Sequence, residues 1–153
     1  MTRVLLLLAL AGAVLPVSAS ALEPKKPSQL VTLLPNGNCD GGEGFLYGFR
    51  AGPDGSFAPF TIPQGQVLVL TRWGFGFSGG TGTTSAFANL TIEGGIQVAF
   101  SYFAFDADGY GGGTVPLSTV VGAGASLCGS HSSGFNNVAP LGGFIEGYLT
   151  KAK

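Results

Sequence analysis

Glycine and proline recur so often along this chain that a packed helix has almost nowhere to run. The 153 residues include 27 glycines and 9 prolines; glycine weakens a helix through backbone entropy, and proline removes an N–H and clashes with the preceding turn. Between these breakers the apolar residues alternate with period two or form short continuous runs, both of which are strand signatures. Residues 29–34 end in the turn cluster Pro35-Asn36-Gly37-Asn38, and residues 44–50 in Gly52-Pro53-Asp54-Gly55. Residues 66–73, with Val67-Leu68-Val69-Leu70 apolar on both faces, read as a central strand. Residues 85–93 place Ala86, Ala88, Leu90 and Ile92 on one side. Gly94-Gly95 then makes a tight hairpin into residues 96–105, where Ile96, Val98, Phe100 and Tyr102 share a face. Residues 115–121, 125–128 and 143–150 bring the set to about eight strands, which predicts an all-β fold. We expect an antiparallel β-sandwich, jelly-roll-like, with an immunoglobulin-like topology as the other candidate.

The first 21 residues stand apart. Arg3, the apolar run 4–15 and the small residues Ala19-Ser20-Ala21 form the three parts of a secretory signal peptide, with cleavage expected near Ala21. The apolar run is too short to span a bilayer, and no later stretch is longer. The expected organisation is a signal peptide over 1–21, an extended leader over 22–28 that its prolines keep from being helical, and a single β-sandwich domain over 29–153. The predicted location is secreted or periplasmic.

An exporting context gives the two cysteines their reading. With Cys39 and Cys128 alone, one intramolecular pairing exists, and it closes a loop of about 90 residues, worth roughly 4–5 kcal/mol in the chain-entropy model. Charge is sparse. Seven basic side chains against eight acidic ones give a net charge of −1, and only 10% of residues are charged. With no basic cluster to neutralise phosphates, nucleic acid is not an expected partner.

The strand and turn motifs Phe60-Thr61-Ile62-Pro63, Gly65, Val67-Leu68-Val69-Leu70-Thr71, Gly124, Leu127-Cys128, Gly143-Phe144 and Gly147-Tyr148-Leu149 resemble those of small exported bacterial β-sandwich proteins of unassigned function. The likeness covers residues 60–149 and implies a fold, not an activity. The closing segment is also similar to the last strand of trimeric jelly rolls of the tumour-necrosis-factor and complement type.

Chemical motifs are few. Gly76-Phe77-Ser78-Gly79-Gly80 fits G-x-S-x-G, and Asp106 or Asp108 followed by His131 completes the chain order of an α/β-hydrolase triad. That chemistry needs a helix after Ser78, and Thr81-Gly82-Thr83-Thr84 follows instead. Gly74 to Gly79 also fits G-x-G-x-x-G, again with no helix to receive a pyrophosphate. Asp106-Ala107-Asp108-Gly109 is a weak candidate for calcium, with Asp40 and Glu43 as further oxygen donors; the EF-hand pattern fails because its twelfth position is Leu117. The more expected role for these aspartates is turn geometry.

Contact surface is better supplied than catalytic material. Trp73, Phe75, Phe77, Tyr102 and Tyr110 cluster around glycine-rich segments and form the candidate ligand or assembly patch. The resulting expectation is a non-catalytic protein, without a required cofactor, that self-associates or binds an extracellular ligand such as a glycan.

Overall fold

The computed structural model describes residues 24, 26–39, 44–80, 85–92, 95–132 and 139–152. Among them the expected strand pattern resolves into β1 (Leu30–Asn38), β2 (Phe45–Ala51), β3 (Phe57–Pro59), β4 (Gln66–Ser78), β5 (Ser85–Ile92), β6 (Ile96–Ala104), β7 (Tyr110–Gly122), β8 (Leu127–Ser132) and β9 (Ala139–Lys151). All pairings are antiparallel and run in the order β6-β5-β8-β2-β1-β9-β4-β7, with the short β3 beside β2. The all-β expectation holds, as a nearly closed, barrel-like antiparallel sheet. Its two ends, β6 and β7, are joined by a tight turn in which Gly109 N–H donates to the Asp106 carbonyl. Just past β6, Phe105 makes an isolated bridge to Gly111, and the two strands lie close together beside the turn.

No α-helix occurs among the described residues, and the proposed signal peptide lies outside them. The leader departs from expectation at its end, where Pro27–Gln29 form a single 3-10 turn. A proline in the first position of a turn gives up an N–H that has no partner there anyway, so it does not block the turn. Gln29 then anchors the segment: its Oε1 accepts from Lys26 N at 2.8 Å and its Nε2 donates to the Leu149 carbonyl on β9 at 2.9 Å.

β4 is the central strand that its apolar run implied, paired to β7 on one side and β9 on the other. A bulge changes its phase. Leu70 faces Gly147 and Arg72 faces Glu146, leaving Thr71 as the extra residue; its hydroxyl donates to the Glu146 carbonyl at 3.1 Å. Inward positions therefore switch from Leu68 and Leu70 to Trp73, Phe75 and Phe77, all buried. The rings continue through the interior to β6, which is not a neighbour of β4 in the sheet. Trp73 meets Phe75 at 4.6 Å between centroids, Phe77 stacks on Phe103 at 5.1 Å, and Phe103 meets Phe105 at 5.3 Å. Small side chains, Ala86 and Ala88 of β5, complete this part of the core.

A second bulge alters β6. Leu90 pairs with Ala99 and Thr91 with Gln97, so Val98 is the extra residue. The expected common face of Ile96, Val98, Phe100 and Tyr102 is thus divided: Val98 packs against the core while Phe100 and Tyr102 point outward. Period two survives on each side of the bulge, but not across it.

Cys39 and Cys128 form the expected disulfide, with Cα atoms 5.9 Å apart. It ties the end of β1 to β8, two strands that do not pair with each other. Replacing both cysteines with serine is expected to lower the unfolding free energy by about 2–4 kcal/mol, read from urea titration of oxidised wild type and variant. A loss below about 1 kcal/mol would show that the sheet closes without the staple.

Candidate functional site

Backbone register alone brings three rings together on the outside of the barrel. Phe87 on β5 lies opposite Tyr102 on β6, and Asn89 next to it lies opposite Phe100. The Phe87 ring sits 5.3 Å from Phe100 and 6.2 Å from Tyr102, and Phe100 meets Tyr102 edge to face at 4.7 Å and 90°. This is the arrangement aromatic quadrupoles favour. Their inward neighbours are Ala86, Ala88 and Phe103, so alternation leaves the triad facing out. Tyr102 is 73% exposed and Phe100 38%. Covering Tyr102 alone would contribute on the order of 2–3 kcal/mol at about 25 cal/mol per Å².

The strands that carry and flank the triad are uncharged. β5, β6 and β8 contain no Asp, Glu, Lys or Arg, and the first such residue on β2 is Arg50. Arg50 is occupied elsewhere: it donates to the carbonyls of Ser28 and Leu30 at 3.0 and 2.7 Å and lies over the Phe60 ring. The outer surface of β4 and β9 differs. There Arg72 makes a bidentate pair with Glu146 at 2.9 and 2.7 Å and covers the Phe144 ring, which leaves no room for a side chain at Gly74. An exposed pair of this kind contributes little stability, but it marks that surface as solvated. The β5–β6 surface has no such marking.

The candidate patch separates into two groups. Trp73, Phe75 and Phe77 are core residues, because each alternates with a glycine or sits beyond the Thr71 bulge on the inward phase of β4. Tyr102 and Tyr110 are exposed, Tyr110 at the start of β7. Phe87 and Phe100, absent from the expected patch, complete the triad. Their signal was present in the sequence as uncharged strands carrying more aromatics than one core needs.

Asp106 and Asp108 lie at the tip of the β6–β7 hairpin. One Asp106 oxygen, Oδ1, accepts from Asp108 N at 3.0 Å and Tyr110 N at 2.8 Å, which is the turn role expected of it. No group of three or more His, Cys, Asp or Glu that could hold a metal is found among the described residues. Asp40 and Glu43 fall outside those residues. Ser78 ends β4, between β7 and β9, whereas His131 is on β8, between β2 and β5. Among the described residues no helix follows Ser78: Gly79 and Gly80 are not helical and β5 begins at Ser85, so the strand-to-helix elbow of G-x-S-x-G is not seen there.

A concave feature adjoins the core. Leu33, Asn36, Tyr47, Ile62 and Leu127 are among the residues lining a cavity of about 280 Å³. Tyr47 is buried there, and its hydroxyl oxygen accepts from Trp73 Nε1 at 2.9 Å. Glycines 129 and 143 leave space for its ring, since a Cβ at either would collide with it. Burial pushes the Tyr47 phenol up to about 12, opposed in part by the Trp73 hydrogen bond.

No protein-family model, curated protein or solved structure matches this chain.

The Tyr47 shift has a definite sign. An unfolded-chain tyrosine loses its proton near pH 10, whereas Tyr47 in the native state holds it to about 12. Between those values the native state binds more protons, so its stability falls as pH rises, by up to about 3 kcal/mol. At neutral pH, Tyr47→Phe is expected to cost about 1–3 kcal/mol by leaving the Trp73 N–H unpaired. The variant should also lose part of the wild-type decline above pH 10. Denaturant titrations of both proteins at neutral and alkaline pH check this; identical alkaline slopes would contradict it.

Proposed function

We propose that this chain is a secreted, non-catalytic jelly-roll module that works by contact, with the outer surface of β5 and β6 as its contact face. The topology supports the jelly-roll reading. β1 pairs with β9, β2 with β8, β4 with β7 and β5 with β6: first with last, nested inward to the central hairpin. A long hairpin wrapped over itself gives that nesting, and it divides into β2-β8-β5-β6 and β1-β9-β4-β7 as two facing halves. Ring contacts from β4 to β6 through the interior favour the same division. Export is supported by the N-terminal pattern of Arg3, apolar run and Ala19-Ser20-Ala21, and a disulfide suits an oxidising compartment.

The observation that carries the contact reading is the Phe87–Phe100–Tyr102 triad, with Phe100 and Tyr102 exposed and Phe87 half-buried on uncharged strands. Apolar outer surface without charges around it marks interfaces more often than solvated faces. A glycan is the second ligand class, favoured by the exposed rings of Tyr102 and Tyr110 beside a turn that carries Asp106 and Asp108. Such rings stack on sugar faces, and calcium would assist through the aspartates.

Sedimentation of the processed chain from micromolar to millimolar concentration tests assembly, and a glycan array run with and without calcium tests the second class. Association that strengthens with concentration, and that Phe100→Ser with Tyr102→Ser weakens by at least about tenfold, is the expected result. A strict monomer at every concentration, together with a silent array, would overturn the proposal.

A further inference from the structure

The cavity of about 280 Å³ beside Tyr47 is separate from the contact face, because no residue of β5 or β6 lines it. Its floor is apolar: Leu33, Ile62, Leu68 and Leu127 are all buried. Its polar side chains, other than the Tyr47 hydroxyl, stand nearer the surface, with Asn36 and Thr61 exposed and Ser126 half-buried. Apart from the Tyr47 phenol, no lining residue is ionisable. Protein interiors leave few spaces larger than a water molecule, and an apolar concavity with a few polar groups at its mouth is the usual form of a small-molecule site. Backbone irregularity at the mouth points the same way. The β1–β2 ladder is regular as far as Leu34 opposite Phe49, then pairs Pro35 with Tyr47 and Gly37 with Leu46, which leaves Gly48 unpaired on one strand and Asn36 on the other. Bulges of this kind re-aim a side chain beside a site. The Asn36 carboxamide lies across Gly48, where a Cβ would collide with it, and among the described residues it makes no hydrogen bond. The Gly48 carbonyl meanwhile accepts from Phe60 N–H at 2.8 Å, which holds the 59–62 segment at the mouth.

We propose that this cavity binds a small uncharged molecule, an apolar body carrying one hydroxyl or carbonyl, with the Asn36 carboxamide as its polar contact. The inference goes beyond the contact reading and does not depend on it. Size sets the body. An apolar cavity of about 150 Å³ holds a benzene ring, so a space of about 280 Å³ has room for two fused rings or their aliphatic equivalent. Chemistry sets the head. A carboxamide offers both a donor and an acceptor, and so takes a hydroxyl or a carbonyl alike. A carboxylate or an ammonium group would enter a site with no opposite charge in its lining, and the desolvation of such a group would go uncompensated. Arg50, the nearest base in the chain to this mouth through its place over the Phe60 ring, is already held by the Ser28 and Leu30 carbonyls. The ligand therefore lays its apolar part on Leu33, Ile62 and Leu127 and turns its head outward to Asn36.

Titration of the disulfide-intact chain with 2-naphthol at neutral pH, followed by amide chemical shifts, tests this directly, with 2-naphthoate as the charged probe of the same shape. The expected result is a saturable shift of the amides of Leu33, Tyr47, Ile62 and Leu127, with 2-naphthoate weaker by at least about tenfold. Asn36→Ala should weaken 2-naphthol by about three- to tenfold, the loss of one hydrogen bond. Ala125→Phe, which fills the space from its wall, should abolish binding. Thr61→Trp, an exposed position that leaves the core packing alone, should block the mouth if the first variant does not fold. Absence of any saturable shift in the native chain would overturn the proposal. So would equal affinity for 2-naphthoate, unchanged affinity in Asn36→Ala, or binding that persists with the cavity filled or blocked. Shifts confined to Phe100 and Tyr102 would also overturn it, and would place the probe on the contact face instead.

Discussion

Rings from β4 and from β6 meet inside this molecule, and the rest of the structure is arranged around that meeting. Trp73, Phe75 and Phe77 come from one strand, Phe103 from another that is not its neighbour, with Phe105 just past its end, and Phe77 stacks on Phe103 with planes only 14° apart. Because β6 ends the strand order and β4 lies one strand in from the other end, their contact is made across the interior of the nearly closed sheet. The rings are bulky, so the strands around them carry small inward residues: Ala86, Ala88 and Ala99 are buried among the core. Large against small is how such a space is filled at crystal-like density.

That interior contact also decides what the outside looks like. With Phe103 and Phe105 turned inward, strict alternation sends Tyr102 and Phe100 outward, where they join Phe87. Two rings of the triad thus stand on the outer face of the same strand that completes the core. The two bulges, at Thr71 and Val98, set the phase on each strand so that aromatics meet inside. Neither surface can be rearranged without the other, since a one-residue slip in β6 would exchange them.

Much of this was legible beforehand in the residues. The doubly apolar run of Val67 to Leu70 indicated a central strand, and the cysteine count in an exporting context indicated the Cys39–Cys128 bridge. The inward set Ala86, Ala88 and Leu90 followed from period two. The phase of the aromatics did not, because a bulge leaves no reliable mark in a sequence and moves every later side chain to the opposite face. Trp73, Phe75 and Phe77 therefore carry the marks of a surface patch in sequence although they are core, and period two places Phe100 on one face with Val98, from which a bulge separates it. The Pro27–Gln29 turn was hidden by a correct rule applied too far: proline stops a helix interior but tolerates its first position.

The central claim is that inside and outside alternate on β6 in this phase, and paired truncations measure it directly. In urea unfolding, Phe103→Ala should cost about 3–5 kcal/mol through the cavity it leaves in the core. Phe100→Ala, three residues away on the outer face, should cost no more than about 1 kcal/mol in the monomer. Equal losses, or a larger loss at Phe100, would place the wrong ring inside and contradict both the core and the contact face derived from it.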